Sequence, residues 1–271
     1  MKLFATKLII VGVVSICLCN LNANSVSAKS LSEIENKYNN VGKMVTNEIS
    51  NFLTSKNKKD VQSLTEDELS QLVFRVNDIK KQHHDIYVEY DNFLRQSKSN
   101  RNTWNWAGDA FATVDRWLVP NFNHGHAAIA SRDVNATIEA LAGGVQKIWD
   151  GNQRWDHKRC RAKYHGMAGG VYRIVGLDYN QRISASDYAS WQIGKGYDWL
   201  FWTWDDNTFY CSELVYKAWR YAGKTMSYSN PLWGHMVLPA DIMLSPDTYL
   251  IEDWLTWNNG NYPSGSSCLN P

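Results

Sequence analysis

The stretch FYCSELV, residues 209–215, carries the strongest structural signal in this sequence of 271 residues. Apolar residues continue from it at spacings of three and four, and Gly223 follows, which predicts a helix over 212–222. Cys211 stands where this helix begins. A helix N-terminus presents unpaired N–H groups and partial positive charge, both of which favour a thiolate over a thiol. Cys211 is therefore a candidate nucleophile; the alternative is a small residue that packs beneath the helix.

A thiolate nucleophile needs a base, and histidine is the usual one. His126 follows Gly125 and opens a run of small apolar residues, 127–130, which predicts a short strand. His124 would face the same side of that strand and stays open as an alternative base. The other histidines considered lie close behind Cys211 in the chain or in loop-like stretches; they are His157, His165 and His235.

A third group usually orients the base. The stretch Thr137–Leu141 reads as a strand and carries Glu139 at its centre. If this strand is the antiparallel neighbour of the His126 strand, Glu139 comes near the imidazole, while Ile138 and Ala140 face the opposite side. The alternative for Glu139 is a solvated carboxylate.

A series of segments, taken in chain order, resembles the circularly permuted papain-like hydrolases, the YiiX-like branch of the NlpC-type cysteine peptidases. They are GHAAI (125–129), IEA (138–140) with GV (144–145), GKGYDW (194–199), YCSELV (210–215), and LPADI (238–242) with SP (245–246). The resemblance covers about residues 117–251. The histidine segment precedes the cysteine segment, which is the permuted order.

The resemblance implies an α+β domain with an antiparallel sheet and the nucleophile at a helix N-terminus. It makes Cys211 the nucleophile, His126 the base and Glu139 the orienting acid. Tyr210 and Trp199, in the segments next to the nucleophile, are predicted to line the oxyanion or substrate region. The implied chemistry uses no metal or organic cofactor, and the cysteines and histidines lack the spacing of zinc sites.

The first 28 residues read as a signal peptide. Lys2 and Lys7 precede an apolar run over 8–18, which is too short to span a bilayer comfortably. Val26 and Ala28 place small or slim residues at a cleavage site after residue 28. We therefore expect a secreted or cell-envelope protein, with an uncleaved membrane anchor as the alternative.

The remaining chain divides by composition into residues 29–100 and 101–271. The first part lacks Trp and Pro and predicts a hairpin of two amphipathic helices, the second starting at a capping box of Thr65 and Glu68. We expect a packing or spacer element, with self-association or partner docking as the alternative. The second part contains all 13 Trp and is the predicted hydrolase domain.

Charge and cysteine content restrict the partners and the redox state. The formal net charge is +1, so no basic field points to nucleic acid. Beyond the signal segment three cysteines remain, an odd number that leaves at least one free thiol. A disulfide between Cys160 and Cys268 with Cys211 free, and three free thiols, both stay open.

Together these features predict an exported cysteine peptidase or amidase that cleaves amide bonds in a peptide or peptidoglycan-type substrate. Apolar, Trp-rich surroundings of Cys211 suggest acyl transfer or thioesterase activity on a lipid substrate as one alternative. A non-catalytic protein that binds the cell wall or a partner is another.

Overall fold

The computed structural model describes residues 30–95, 106–114, 125–133, 136–149, 167–201, 205–227 and 236–254. From Leu31 onward the chain forms one compact unit. The predicted signal peptide, the predicted domain boundary near residue 100, and the residues His124, Cys160 and Cys268 lie outside the described ranges. Within these ranges, no helix combines the length and apolarity needed to cross a bilayer.

Amphipathic helices make up the N-terminal part of the described chain. They are α1 (Leu31–Ser55), a 3-10 turn (Val61–Ser63), α2 (Glu66–Gln82) and α3 (His84–Arg95). The predicted capping box is present: Thr65 accepts from the Glu68 N–H and Glu68 accepts from the Thr65 N–H. The single second helix of the prediction is wrong, because His83 leaves helical geometry (φ −116°, ψ 22°) and divides it. No Gly or Pro marks this break in the sequence.

The six-stranded sheet is antiparallel throughout. Its strands are β1 (Ala110–Thr113), β2 (His126–Ala130), β3 (Ala136–Leu141), β4 (Gly144–Trp149), β5 (Gly169–Ile174) and β8 (Thr248–Asp253). They lie in the order β4-β3-β2-β1-β5-β8. A separate parallel pair joins β6 (Gly196–Tyr197) to β7 (Thr208–Phe209). The mixture of helices with an antiparallel sheet confirms the predicted α+β class.

Three further helices cover the sheet: α4 (Tyr179–Trp191), α5 (Cys211–Tyr221) and α6 (Pro239–Leu244). Helix α5 packs on β2 and β3, whereas α6 packs on β1, β5 and α2. The main core lies at these contacts and includes Ile129, Ile138, Leu214 and Trp219. The indole of Trp219 donates to the carbonyl of Gly108 at 2.7 Å, which fixes α5 beside β1.

Buried polar contacts join helix α2 to the sheet and to α6. The amide of Asn77 donates to the hydroxyl of Tyr172 at 2.9 Å. The Lys80 Nζ lies within 2.9 Å of three acceptors, the carbonyls of Met243 and Ser245 and the hydroxyl of Thr248. The N-terminal helices are thus packed into the same unit as the sheet.

Candidate active site

Cys211 is the first residue of α5, as the sequence predicts. Tyr210 precedes it in extended geometry (φ −96°, ψ 169°), so the helix begins abruptly at the cysteine. One residue, Val237, holds both neighbours of Cys211 in place. Its N–H donates to the Tyr210 hydroxyl at 2.9 Å, and its carbonyl accepts from the Ser212 hydroxyl at 2.7 Å. The thiol is thereby fixed at the helix N-terminus with 8% of the residue exposed.

Gly125 allows the chain to enter β2 with His126 as its first residue. It has φ +82°, and a Cβ at this position would lie 1.8 Å from the Thr113 carbonyl oxygen. Only glycine fits such a close approach in the left-handed region. His126 then pairs with Thr113 across the sheet and is 5% exposed.

Glu139 lies beside the His126 ring. The His126 Nε2 and the Glu139 Oε2 are 2.8 Å apart. The other carboxylate oxygen accepts from the Thr137 hydroxyl at 2.7 Å, so both oxygens are engaged. Glu139 is fully buried, which excludes the alternative of a solvated carboxylate. The antiparallel pairing of β2 and β3 produces this contact, with Ile138 and Ala140 in the main core on the other face.

The His126 imidazole also interacts with the Cys211 thiol, and each group shifts the pKa of the other. Because Nε2 is engaged by Glu139, Nδ1 is the ring nitrogen that faces the thiol. Burial disfavours charge on His126, but the hydrogen bonds to Cys211 and Glu139 outweigh it and raise the imidazole pKa. Burial likewise opposes the thiolate, yet the contact with His126 lowers the Cys211 pKa. Both shifts favour a thiolate–imidazolium pair.

Two smaller contacts also stabilise the charged sulfur. The backbone of Ala127 hydrogen bonds to Cys211 and lowers its pKa. The Ser212 hydroxyl lies 4.0 Å from the Cys211 Sγ. The sulfur therefore faces an imidazole, a backbone N–H and a hydroxyl at the positive end of α5, an arrangement that stabilises a thiolate.

Tyr210 and Trp199, the other two predicted site residues, differ in their exposure to solvent. Tyr210 is 2% exposed, and its hydroxyl is engaged by Val237. Trp199 is 52% exposed, with its ring 4.7 Å from the Tyr197 ring. His124, the alternative base, lies outside the described residues.

Sequence reasoning missed a buried charge cluster on α5. Glu213 is fully buried and accepts from the Tyr210 N–H at 3.2 Å. Burial raises the pKa of Glu213 to about 7, although the Lys217 ammonium at 3.0 Å opposes this. Lys217 also donates to the Asp205 carbonyl at 2.8 Å and to the Asp206 carboxylate at 2.9 Å. The spacing of four between Glu213 and Lys217 was a readable signal.

No metal site accompanies this arrangement in the described ranges, where no group of three or more His, Cys, Asp or Glu side chains could hold an ion. The side chains at this site are a buried thiol (Cys211), an imidazole (His126) and a carboxylate (Glu139).

Comparison with known proteins gives one similar solved structure and one matching family model. The chain is similar to a solved structure described as metalloprotein yiiX from Escherichia coli O157:H7, at 20% identity and a TM-score of 0.41. The similarity covers 56% of this chain and 98% of that one. The search of curated proteins gave no match.

Residues 120–251 match the sequence model of a family described as permuted papain-like amidases, the YaeF/YiiX or C92 family. The matched range contains Cys211, His126 and Glu139, and it agrees with the resemblance drawn from the sequence motifs. Residues 120–251 are therefore similar in sequence to the permuted papain-like amidases, a family of cysteine peptidases and amidases.

Proposed function

We propose that this protein hydrolyses amide bonds with Cys211 as nucleophile, His126 as general base and acid, and Glu139 as the group that orients the imidazole. The observation that carries the proposal is the buried cluster of Cys211, His126 and Glu139, in which the His126 Nε2 lies 2.8 Å from the Glu139 carboxylate and the imidazole lowers the Cys211 pKa. Sequence similarity to an amidase family supports the reaction class.

In the first half of the reaction, the Cys211 Sγ attacks the amide carbonyl carbon. The oxyanion forms beside the first turn of α5, where the Cys211 N–H is suited to stabilise it. The His126 imidazolium then donates its proton to the leaving nitrogen, the C–N bond breaks, and an acyl-thioenzyme remains.

In the second half, His126 accepts a proton from a water molecule as its oxygen attacks the thioester carbonyl. The C–S bond breaks, the acid leaves, and the thiolate–imidazolium pair forms again. Glu139 keeps Nδ1 of the ring directed at the sulfur and stabilises the imidazolium, without itself carrying the proton.

The proposed substrate is a peptide amide, and an exported chain would meet such bonds in cell-wall peptides. Support for export comes from the charged start and the short apolar run of residues 1–28. Support for a peptide comes from the motif resemblance to the NlpC-type peptidases.

The direct test incubates the chain from residue 29 onward with purified cell-wall peptides and follows newly released amines by mass spectrometry. We expect hydrolysis by the wild type and loss of turnover in Cys211→Ala. Ser184→Ala on α4 serves as the matched control. Full hydrolysis by Cys211→Ala would contradict the proposal.

Acyl transfer on lipids is a second candidate, favoured by one observation. Trp199 and Leu200, close in the chain to β7 and Cys211, are 52% and 75% exposed. A labelled lipid acyl chain should then be trapped as a thioester on Cys211, whereas wall peptides should give no acyl-enzyme. The absence of any trapped chain across several lipids would exclude this candidate.

A further inference from the structure

The segment Tyr197–Phe201 forms a tight turn that a buried carboxylate holds in place. Asp198 is 6% exposed, and one of its carboxylate oxygens accepts from the N–H groups of Leu200 at 2.8 Å and Phe201 at 3.0 Å. The Asp198 N–H donates to the Phe209 carbonyl at 3.1 Å. The turn is therefore fixed to the strand that leads into the nucleophile helix.

Both ends of the turn contact the two residues that precede Cys211 in the chain. Tyr197 pairs with Phe209, two residues before the cysteine. Burial, and then the charge of the nearby Cys211, raise the pKa of Tyr197. From the other end of the turn, the Phe201 ring lies 5.2 Å from the ring of Tyr210, the residue before Cys211.

The aromatic rings of the turn contact one another, and the outermost ring is exposed to solvent. The Trp199 ring is 4.7 Å from the Tyr197 ring, which is 6.4 Å from the Phe201 ring. Trp199 and Leu200 project from the turn with 52% and 75% exposure. Both side chains are large and hydrophobic, so the outer face of the turn is apolar.

The backbone of the turn is strained in the way functional segments often are. Phe201 has φ +57°, a left-handed conformation that a bulky aromatic residue rarely adopts. This conformation places Phe201 against Tyr210 while Leu200 stays outside. The turn thus combines a disfavoured backbone conformation at Phe201, a buried carboxylate at Asp198 and an apolar outer face.

We propose that Trp199 and Leu200 form a specificity surface that receives an apolar group of the amide substrate, an aromatic ring or an alkyl chain next to the scissile carbonyl. The inference rests on the proposed function in taking Cys211 as the nucleophile. The one carboxylate of the turn, Asp198, is engaged inward by backbone N–H groups, so the outer face offers contacts to apolar atoms.

The test measures how fast Cys211 is alkylated, so it needs no known substrate. Iodoacetamide is compared with its N-benzyl and N-hexyl derivatives; in each case the Cys211 sulfur displaces iodide from the same carbon. Each rate is divided by the rate of the same reagent with free cysteine. The benzyl arm reports an aromatic group and the hexyl arm an alkyl chain.

We expect at least one apolar reagent to show a selectivity over iodoacetamide of about fivefold or more in the wild type, the size of a modest apolar contact. Trp199→Ala and Leu200→Ser should each reduce this selectivity toward one. Trp191→Ala is the matched control, because Trp191 is 62% exposed but contacts Tyr221 at the far end of α5.

A selectivity of one in the wild type, or one that survives both Trp199→Ala and Leu200→Ser, would overturn the inference. Failure of the proposed function has a different signature: hydrolysis that persists in Cys211→Ala. The selectivity ratio does not depend on that result, so the two failures are distinguishable.

Discussion

At the scale of single residues, the proposed chemistry depends on how firmly His126 is held between two partners. Its Nε2 lies 2.8 Å from Glu139 Oε2, and its other nitrogen faces the Cys211 sulfur. Thr137 in turn fixes the second oxygen of Glu139 at 2.7 Å. The Glu139 carboxylate therefore holds the ring in one orientation before substrate arrives.

Glu139→Gln should lower kcat by about 10- to 100-fold, roughly 1.4–2.7 kcal/mol in activation free energy. The amide keeps the size of the side chain but removes the charge that stabilises the imidazolium, so the His126 pKa should fall. Steady-state hydrolysis and circular dichroism check this prediction. Unchanged kcat in a folded Glu139→Gln variant would show that the carboxylate does not orient the base.

At the scale of elements, the first turn of α5 is braced by Lys217. The ammonium contacts Glu213 at 3.0 Å, Asp206 at 2.9 Å and the Asp205 carbonyl at 2.8 Å. It therefore connects the segment before β7 to the turn that carries Cys211. Glu213 itself accepts from the Tyr210 N–H at the start of the helix.

Lys217→Met should destabilise the fold by about 1–3 kcal/mol at pH 8 and by less at pH 6. The sign follows from Glu213, whose pKa is raised to about 7, so it is charged at pH 8 and mostly neutral at pH 6. Removing the Lys217 ammonium therefore costs more stability while Glu213 is charged than while it is neutral. Urea unfolding at both pH values measures the difference.

The matched variants for this prediction are Lys217→Arg, which keeps the charge, and the double variant Lys217→Met with Glu213→Gln. The double variant should recover most of the stability lost at pH 8, because no buried charge is left unpaired. Equal destabilisation by Lys217→Met at pH 6 and pH 8 would contradict the account.

At the scale of the whole molecule, Lys80 joins the N-terminal helices to the rest of the fold. It is fully buried, and its three acceptors lie on α6, on the residue after α6 and at the start of β8. Burial lowers the pKa of Lys80 to about 7. In the unfolded chain the lysine pKa is about 10.4.

Between pH 7 and pH 10 the unfolded chain binds the Lys80 proton more tightly than the folded one, so this residue makes stability rise with pH. The slope is at most about 1.4 kcal/mol per pH unit. Lys80→Met removes the slope. The free energy of unfolding of the wild type, relative to Lys80→Met, should therefore increase from pH 7 to pH 9.

Lys81→Met on the same helix is the control for Lys80→Met. Burial opposes the charge of Lys81, but its contacts with Asp253 and Asp78 raise its pKa, so its contribution is constant over pH 7 to 9. Parallel curves for the wild type and Lys80→Met over this range would rule out a depressed Lys80 pKa.

The placement of the candidate site residues was more predictable from sequence than the scaffold around them. Cys211, His126 and Glu139 sit on short elements whose patterns are local: a helix start, a glycine before small residues, and an alternating strand. The hydrogen bonds of Val237 to Tyr210 and Ser212, and the contacts of Lys80 with its three acceptors, were not predictable. Each joins segments that are far apart in the chain. No Gly or Pro marks the break at His83. The amphipathic spacing continues across it, so the sequence predicted one helix where the structure has α2 and α3.

The pH dependence of Cys211 alkylation by iodoacetamide tests the central claim most directly, with mass spectrometry confirming that Cys211 carries the label. The lowered Cys211 pKa and the raised His126 pKa predict a midpoint clearly below the ordinary thiol value of about 8.5. His126→Ala should move the midpoint up toward that value. A midpoint near 8.5 in both proteins would contradict a poised thiolate–imidazolium pair.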